Sequence, residues 1–431
     1  MRILVLGGYG LIGREVVRRT LADGFEPVGF GRSLSQGRRA APTIRWIAAD
    51  LAQITTPEAW LPHLTGIDGV VNASGALQDG ARDNLALAQD QAIRALIAAC
   101  AAAGVRRFVQ ISAPGADIGA RTAFMRTKGA ADAALRASDL DWIIFKPGLV
   151  ISANAYGGTS LLRMLAAFPL AQPLVLADRR MQTVAAYDVA QAVSFAWTPQ
   201  APLRRSFDLV APEAHALRDV VARFRAWLGF APAGAVIDLP RWLGFALARG
   251  ADLMGWLGWR SPLRSTAFRV LDQDVLGDAD AWPRATGLKL ASLDQTLAAL
   301  PATSQERLYA RAQLVFPLLL ATLASFWIAS GLIGLWRSGE AAQVLAKSPL
   351  ASSAGWLALA GAIADIAIGL ALMHRRTTRA AAWCAVALSI SYLALATIFT
   401  PDLWADPLGP LVKVFPGVAL ALAIAALAED R

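Results

Sequence analysis

Three glycines near the start of the chain have the spacing of a phosphate-binding turn. Residues 7–13 read Gly-Gly-Tyr-Gly-Leu-Ile-Gly and lie between an apolar run at 3–6, which predicts a β-strand, and a helical pattern at 11–22. In this context the first glycine permits a tight turn, the second lets backbone approach a pyrophosphate, and the third lets the helix pack on the strand. A purely structural glycine turn is the alternative. The dinucleotide contacts predicted here are Gly7, Gly10, Leu11, Ile12 and Gly13.

The ends of the next predicted strands carry groups that fit the rest of a dinucleotide. The strand at 27–30 is followed by Arg32 and Ser33, and no Asp or Glu stands there to bind a ribose 2′-hydroxyl. Because Arg pairs well with phosphate, this end favours NADP, with NAD as the alternative. We expect further contacts from Asp50 and Leu51 beside the adenine, and from Ala73, Ser74 and Gly75 beside the nicotinamide ribose.

Short apolar runs alternate with helical patterns over the first part of the chain. The predicted strands are 3–6, 27–30, 44–48, 69–72, 107–111 and 142–145, and the helical stretches between them include 11–22, 82–103 and 122–138. This alternation predicts an α/β Rossmann fold, a doubly wound parallel sheet with helices on both faces. The pattern continues less regularly to residue 240 and predicts a small α/β substrate lobe. We therefore assign residues 1–240 to one domain.

The segment 241–305 has a different composition. Between residues 241 and 269 lie five arginines, three tryptophans and a single acidic residue, Asp252. Basic and aromatic residues in one helical pattern are typical of an amphipathic segment that lies in the bilayer interface, so we interpret 241–305 as an interfacial linker. Glycines interrupt the pattern, and a helical substrate lobe with exposed arginines is the alternative interpretation.

The C-terminal part, 306–431, is much more apolar than the rest. The whole chain is 56% hydrophobic and 17% charged, but residues 311–431 carry only eight Lys or Arg and six Asp or Glu. Four apolar runs, 314–336, 354–373, 380–400 and 407–428, are each long enough to cross a bilayer core of about 30 Å. They predict an all-α four-helix transmembrane bundle, because four such runs in series need a hydrophobic solvent.

Charges beside the apolar runs predict their orientation. One side of the membrane would carry the basic loop at 374–379 together with Arg307 and Arg311. The other side would carry the acidic turn at 401–406 and Lys347, and is therefore less basic. The positive-inside rule places the Rossmann domain and both termini in the cytoplasm, with the protein in the cytoplasmic (inner) membrane. The net charge of +9 is assigned to an anionic lipid surface and not to nucleic acid, because apolar spans follow.

Few other residues suggest chemistry. Asp365 and Lys413 are charged residues inside the apolar runs, and we hypothesise a contact between them, with snorkelling of Lys413 to the outer surface as the equal alternative. The two cysteines, Cys100 and Cys384, predict no disulfide framework, and no Cys/His cluster predicts a metal site.

Several motifs together resemble the short-chain dehydrogenase/reductase superfamily. Besides the glycine turn, the segments 72–75, 111–113, 146–148 and 187–190, with Asp50 and Lys128, resemble its atypical, extended members. These include the accessory nucleotide-binding subunit of respiratory complex I and isoflavone-reductase-like proteins. The likeness covers residues 1–300, and the C-terminal part resembles the DoxX-like family of four-helix membrane proteins, which is linked to quinone and thiol redox chemistry.

The resemblance implies a Tyr-x-x-x-Lys pair, in which the lysine holds the ribose and the tyrosine transfers a proton. Here the pair reads Phe124 and Lys128, so the lysine is kept and the proton donor is missing. Ser112 matches the region of the family serine, and Pro147 belongs to the loop expected over the nicotinamide. Tyr156 is a candidate replacement acid, with a loop tyrosine that packs on the fold as the alternative. The predicted catalytic residues are Lys128, Ser112 and Tyr156.

Two functions follow from these predictions. The first is a membrane-anchored NAD(P)H-binding oxidoreductase that prefers NADPH and acts on a small lipophilic substrate, such as a quinone or a lipid. The second, favoured by Phe124, is a non-catalytic NADPH-binding sensor, or a scaffold or assembly protein of a membrane redox complex. A transporter gated by nucleotide rests on Asp365 alone and is the weakest hypothesis.

Overall fold

The chain folds into two compact units. The structure is a computed structural model that describes residues 1–76, 79–80, 84–259, 261, 263–345 and 351–428. The N-terminal unit comprises Met1–Leu253 and Ser261–Ala310, and the C-terminal unit comprises Met254–Arg260 and Arg311–Arg431. Lys347, used in the orientation argument, and the predicted start of the helix at 82 lie outside the described residues.

A seven-stranded sheet forms the centre of the N-terminal unit. All its strands are parallel, in the order β3-β2-β1-β4-β5-β6-β10. The first six strands are β1 Arg2–Leu6, β2 Glu26–Gly31, β3 Arg45–Ala48, β4 Gly69–Asn72, β5 Arg107–Ile111 and β6 Asp141–Pro147. The others are β7 Leu149–Ile151, β8 Ala171–Leu174, β9 Arg180–Ala185, β10 Arg205–Leu209, β11 Ala214–Ala216 and β12 Ala235–Asp238. This strand order confirms the predicted doubly wound Rossmann fold, in which the chain reverses between β1 and β4.

Helices cover both faces of the sheet. The helices up to residue 227 are α1 Leu11–Ala22, α2 Leu34–Ala40, α3 Pro57–Leu64, α4 Ala92–Ala102, α5 Ala123–Arg136, α6 Gly158–Ala166, α7 Ala186–Phe195 and α8 Leu217–Trp227. A π-helical segment, Ala86–Gln91, leads into α4. One face carries α3, α4 and α5, and its core is built from Trp60, Ile93 and Leu135. The other face carries α1 and α7, with Val17 and Val193 in its core.

A smaller lobe adjoins the carboxyl ends of the strands. It contains a three-stranded sheet in the order β11-β9-β7 and a parallel pair, β8 and β12. Its separate apolar core includes Leu162 of α6 and Phe224 of α8. The predicted small α/β lobe is therefore present, and it has its own hydrophobic interior.

Much of the segment 265–310 packs inside the N-terminal unit, which differs from the expected linker. The helices of the predicted linker, 241–305, are α9 Arg241–Trp256, α10 Ser265–Leu271, α11 Ala281–Thr286 and α12 Leu293–Ala299. Trp282 is fully buried, and its ring centroid lies 5.2 Å from that of Phe145 and 5.2 Å from that of Phe207. Leu293 and Leu297 belong to the lobe core. Composition could not show this packing, because it depends on contacts with residues far away in sequence.

The C-terminal unit is helical. Its elements are α13 Ser304–Trp336, which begins in the N-terminal unit, α14 Ser338–Leu345, α15 Ala354–Met373, α16 Thr378–Phe399 and α17 Val414–Leu427. Within the described residues, α13, α15 and α16 are long and apolar enough to cross a bilayer. The fourth predicted span, 407–428, is helical only over Val414–Leu427, about 21 Å at 1.5 Å per residue. Pro407, Gly409 and Pro410 precede it and favour turns.

Asp365 does not make the hypothesised contact with Lys413. Its carboxylate accepts hydrogen bonds from Ser330 Oγ of α13 at 2.7 Å and from Tyr392 Oη of α16 at 3.0 Å. Lys413 is exposed just before α17. No ion pair joins Asp365 to Lys413 among the residues that the structure describes, because neutral donors from two neighbouring helices reach the carboxylate instead.

Replacing Trp282 by alanine tests whether α11 belongs to the folded core. Loss of a large buried aromatic side chain should lower the free energy of unfolding by about 3–5 kcal/mol. Trp242→Ala is the matched control, since Trp242 is 71% exposed and should change stability by less than about 0.5 kcal/mol. Denaturant unfolding of the detergent-solubilised protein measures both. Equal stability of the two variants would contradict the packing described here.

Candidate functional site

The glycine turn between β1 and α1 packs too closely on neighbouring backbone to admit side chains. Gly7 has φ +68°, and a Cβ there would lie 2.9 Å from the carbonyl oxygen of Ala73. At Gly13 a Cβ would lie 2.1 Å from Gly7 O, so the helix packs directly on the turn. No side chain caps α1 and no acidic residue lies in its first turn. The amide groups at Leu11 and Ile12 therefore face an anion site without competition from a carboxylate.

The end of β2 brings Arg32 and Ser33 beside the glycine turn through Tyr9. The Tyr9 ring packs directly on Gly31, since a Cβ at Gly31 would lie only 2.4 Å from Tyr9 Cε1. The backbone amide of Ser33 donates to Tyr9 Oη at 3.3 Å, and Ser33 Oγ accepts from the amide of Gln36 at the start of α2. Sequence reasoning missed Tyr9. The usable signal was an aromatic residue between Gly8 and Gly10, together with a glycine, Gly31, at the end of the neighbouring strand β2.

Asp50 and Leu51 lie after β3, as predicted from sequence, but Asp50 also has a structural role. One of its carboxylate oxygens accepts from the amide of Ala52 at 3.1 Å and caps a short 3-10 turn, Leu51–Gln53. Leu51 packs partly against the core on that face of the sheet. The second oxygen of Asp50 is left for a ligand, so contact with an adenine stays a prediction.

The residues after β4 lie against the glycine turn. Asn72 is buried, and its side-chain oxygen accepts from both the amide and the hydroxyl of Ser74. Its amide nitrogen donates to Gln110 Oε1 at 2.9 Å, which ties β4 to β5. These bonds fix the backbone at Ala73 and Ser74, and Gly75 has no side chain that would approach Lys128. The structure thus brings the predicted residues 73–75 next to Gly7.

Lys128 reaches the ends of two strands from α5. Its Nζ atom donates to Ile111 O at 2.8 Å and to Ser74 O at 3.0 Å, and the residue is 5% exposed. Burial lowers the pKa of the Lys128 ammonium from 10.5 to about 8, although the nearby Asp132 carboxylate opposes this change. An ammonium has three protons, so one remains for a ribose hydroxyl in the position that the family resemblance implies.

Ser112 is held by a residue that sequence reasoning missed, Asp132. The Ser112 hydroxyl donates to Asp132 Oδ2 at 2.6 Å, and Asp132 is fully buried one helical turn after Lys128. Burial raises the pKa of Asp132, while the Ser112 hydrogen bond and the Lys128 charge oppose that change. A serine whose proton already binds a carboxylate does not donate it to a substrate. An acidic residue four positions after Lys128, on the same helix face, was the available signal.

Tyr156 and Phe124 do not complete a proton-transfer pair with Lys128. Tyr156 is 53% exposed, and its hydroxyl has no hydrogen-bond partner among the described residues. Its backbone amide donates to Thr159 Oγ1, so the loop, and not the ring, is held in place. Pro147 is buried at the end of β6, and its predicted contact with the nicotinamide stays a prediction. The predicted catalytic role of Tyr156 stays a prediction.

Arg14, in the first turn of α1, is a further candidate cofactor contact that sequence reasoning missed. Its Nη1 atom donates to Asn154 Oδ1 at 2.9 Å, in the loop that also contains Tyr156. Its Nε atom is buried without a hydrogen-bond partner in the described part of the chain. A guanidinium with unused donors beside the glycine turn fits a diphosphate. No cluster of His, Cys, Asp and Glu that could hold a metal occurs among the described residues.

Two families match separate parts of the chain. Residues 7–170 match a family described as NAD(P)H-binding, and residues 324–422 match the DoxX-like family. The chain combines an NAD(P)H-binding domain with a DoxX-like domain. The first match contains nearly all of the candidate site, from the glycine turn to Tyr156, and the second, with the three long apolar helices, indicates a membrane protein.

Curated relatives match about a third of the chain. The photosystem II assembly factor Ycf39 of Synechocystis is 34% identical over 149 residues, which are 34% of this chain and 44% of that protein. Ycf39 of Cyanophora paradoxa is 32% identical over 152 residues, again 34% of this chain and 44% of that protein. The chain therefore spans less than half the length of these relatives.

Solved structures share the fold of the N-terminal unit at low sequence identity. The Bordetella bronchiseptica enzyme WbmG in complex with NAD has a TM-score of 0.53 and 18% identity, over 73% of this chain and 96% of that chain. The dTDP-glucose 4,6-dehydratase of Bacillus anthracis, also in complex with NAD, has a TM-score of 0.51 and 13% identity, over 72% of this chain and 96% of that chain. At this identity the likeness concerns the fold alone.

The buried ammonium of Lys128 predicts pH-dependent cofactor binding. Only the protonated lysine offers a charge-assisted hydrogen bond to the ribose, so raising the pH through about 8 should weaken NADPH binding. The expected loss is up to about tenfold per pH unit above that value. Isothermal titration of the detergent-solubilised protein from neutral to alkaline pH measures it.

Two variants serve as controls for this pH dependence. Lys128→Met should bind NADPH weakly with little change over the same pH range, because the titrating group is gone. Lys289→Met, at an exposed lysine, should keep the wild-type profile. A wild-type affinity that stays constant through pH 8 would refute the assigned contact.

Proposed function

We propose that this protein is a membrane-anchored NADPH-binding protein that acts as a sensor or as a scaffold or assembly protein of a membrane redox complex. The observation that carries this proposal is the loss of each proton donor around Lys128. Phe124 stands in the tyrosine position, and the Ser112 hydroxyl donates to Asp132. Lys128 itself is fixed to two backbone carbonyls. The site therefore suits the binding of a nicotinamide ribose, and at positions 112 and 124 no side chain is in place to protonate a carbonyl substrate.

The preference for NADPH over NADH rests on the end of β2. Arg32 is exposed there, no carboxylate stands beside it in the sequence, and a guanidinium pairs well with a 2′-phosphate. Tyr9 adds a second donor, because its oxygen accepts from the Ser33 amide and its own proton remains for a phosphate oxygen. Arg14 and the first turn of α1 would bind the diphosphate.

Cofactor preference can be tested at Arg32 and Tyr9. Arg32→Ala should weaken NADPH binding roughly tenfold or more and change NADH binding little, because a charged hydrogen bond is worth about 1.5–3 kcal/mol. Tyr9→Phe should produce a smaller loss, again selective for NADPH. Tyr187→Phe, which removes the hydroxyl of an exposed tyrosine on α7, is the control. Equal losses for both dinucleotides would argue against a phosphate site, and no binding of either one would remove the proposal itself.

The curated relatives support the assembly role. Ycf39 is a photosystem II assembly factor, and it is 34% identical to this chain over 149 residues. By analogy, the domain of this protein would bind cofactor and meet a partner at the membrane, with the C-terminal helices as the anchor. The partner in this proposal is a membrane redox complex.

An oxidoreductase acting on a small lipophilic substrate, such as a quinone or a lipid, is the second candidate. Tyr156 favours it, because its exposed hydroxyl has no partner among the described residues and belongs to the loop that Arg14 reaches through Asn154. When bound, NADPH would supply a hydride. A quinone can accept the hydride without a tyrosine of the family type, and the role of this chain would then be to hold the ribose through Lys128 and to position the acceptor.

Stopped-flow measurement of NADPH oxidation distinguishes the two candidates. The full chain in detergent, saturated with NADPH, should show no oxidation when short-chain quinones or lipophilic aldehydes are added, because the proposed sensor or scaffold binds the cofactor without passing its hydride to an acceptor. Phe124→Leu should behave as wild type. Rapid oxidation in the wild type that is lost in Tyr156→Phe, with NADPH affinity unchanged, would establish the oxidoreductase and overturn the binding-only proposal.

We further propose that the NAD(P)H-binding domain and both termini are cytoplasmic in the inner membrane. The basic loop between α15 and α16, with Arg375, Arg376 and Arg379, supports this orientation. This orientation implies an even number of crossings, so the proposal includes the shorter α17 as a fourth crossing.

A further inference from the structure

The helix α9 has one face packed on the protein and one apolar face that the described residues leave exposed. Gly244 and Ala248 face inward, and a Cβ at Gly244 would lie 2.8 Å from the Phe268 ring. On the other side, Trp242 is 71% exposed, and Leu253 and Trp256 are each 64% exposed. Leu253 and Trp256 lie 11 and 14 positions after Trp242, and this spacing places the three side chains on one stripe of an α-helix.

The same stripe carries positive charge. Arg249 lies on it and is exposed, with its guanidinium 4.9 Å from the Phe245 ring and no carboxylate partner among the described residues. Asp252, the only acidic residue of α9, is turned inward, where it pairs with Arg264 and accepts from the amide of Ser265. The exposed side of α9 is therefore both apolar and cationic, a combination that matches anionic lipid headgroups above an acyl layer.

The residues at and after the end of α9 pack against the apolar helices of their own unit. Residues 254–260 belong to the C-terminal unit. Trp259 Nε1 donates to the backbone oxygen of Met373, the last residue of α15, at 2.7 Å, and the amide of Arg375 donates to Leu257 O at 3.0 Å. Trp259 also packs against Phe316 of α13. The end of an apolar helix that is followed by a basic loop marks the level of the headgroups.

We propose that α9 lies on the membrane surface and binds anionic phospholipids through Trp242, Arg249, Leu253 and Trp256. The occupant of the exposed stripe is the bilayer to which α13, α15 and α16 belong, and not a soluble protein. This proposal does not depend on cofactor binding. It gives the NAD(P)H-binding domain a second attachment to the lipid surface besides the transmembrane helices.

A fluorescent probe at Leu253 tests the proposal in the full chain. The variant Leu253→Cys, in a Cys384→Ser background, is labelled with an environment-sensitive dye and reconstituted into nanodiscs of phosphatidylcholine with or without phosphatidylglycerol. With phosphatidylglycerol present we expect a blue shift of the emission and loss of intensity when the lipids carry nitroxide near the headgroup. Ile118→Cys, at an exposed position of the loop after β5, is the matched control and should show neither effect.

The variant Arg249→Glu adds a charge test at an exposed position. It should reduce the shift and the quenching at Leu253 in discs with phosphatidylglycerol, and the circular dichroism spectrum should stay that of the unsubstituted protein. A probe at Leu253 that is as unquenched as the probe at Ile118 would overturn the proposal. A blue-shifted probe that nitroxide lipids do not quench would also overturn it, since a protein would then cover the stripe. Equal signals with and without phosphatidylglycerol would refute the anionic preference.

Discussion

The buried ammonium of Lys128 is the interaction on which the candidate site depends. It links α5 to the carboxyl ends of β4 and β5 through Ser74 O and Ile111 O, at the edge of the sheet where the glycine turn also lies. A buried charge is costly unless hydrogen bonds compensate for it, so both carbonyls must stay where they are. Asn72 fixes one of them by binding Ser74, and the sheet fixes the other. The backbone beside Gly7 is thereby held in the shape that a dinucleotide requires.

The same network decides which chemistry is open to the site. Asp132, buried one helical turn after Lys128, accepts a hydrogen bond from the Ser112 hydroxyl, and no ion pair joins Asp132 to Lys128 among the described residues. The Ser112 hydroxyl, which could otherwise polarise a substrate carbonyl, thus points into the protein interior. With phenylalanine at position 124, neither that residue nor Ser112 offers a proton to a substrate. This use of the two positions supports the proposed binding role.

Local patterns allowed much of the fold to be predicted from the sequence. The alternation of apolar runs and helical patterns was sufficient for the Rossmann sheet, and the strands at 69–72 and 107–111 have the predicted bounds. The glycine turn was found because its meaning is set by neighbours close in sequence, and Lys128 was found through the family resemblance. The packing of Trp282, the Ser112–Asp132 bond and the Tyr9 contact were missed, since each joins separate elements. The length of the fourth helical span was overestimated, because hydropathy does not depend on whether prolines such as Pro407 and Pro410 interrupt a helix.

Both units place a charged group among neutral dipoles. Lys128 donates to backbone carbonyls, and Asp365 accepts from the hydroxyls of Ser330 and Tyr392 on neighbouring apolar helices. Close packing makes the second arrangement feasible, because a Cβ at Gly331 would lie 2.5 Å from Ala362 O and the helices approach each other at that glycine. A carboxylate that bridges three helices makes their separation costly, since separation would leave it without donors in lipid. Asp365 therefore fixes the arrangement of α13, α15 and α16, a structural role that needs neither a transported ion nor Lys413.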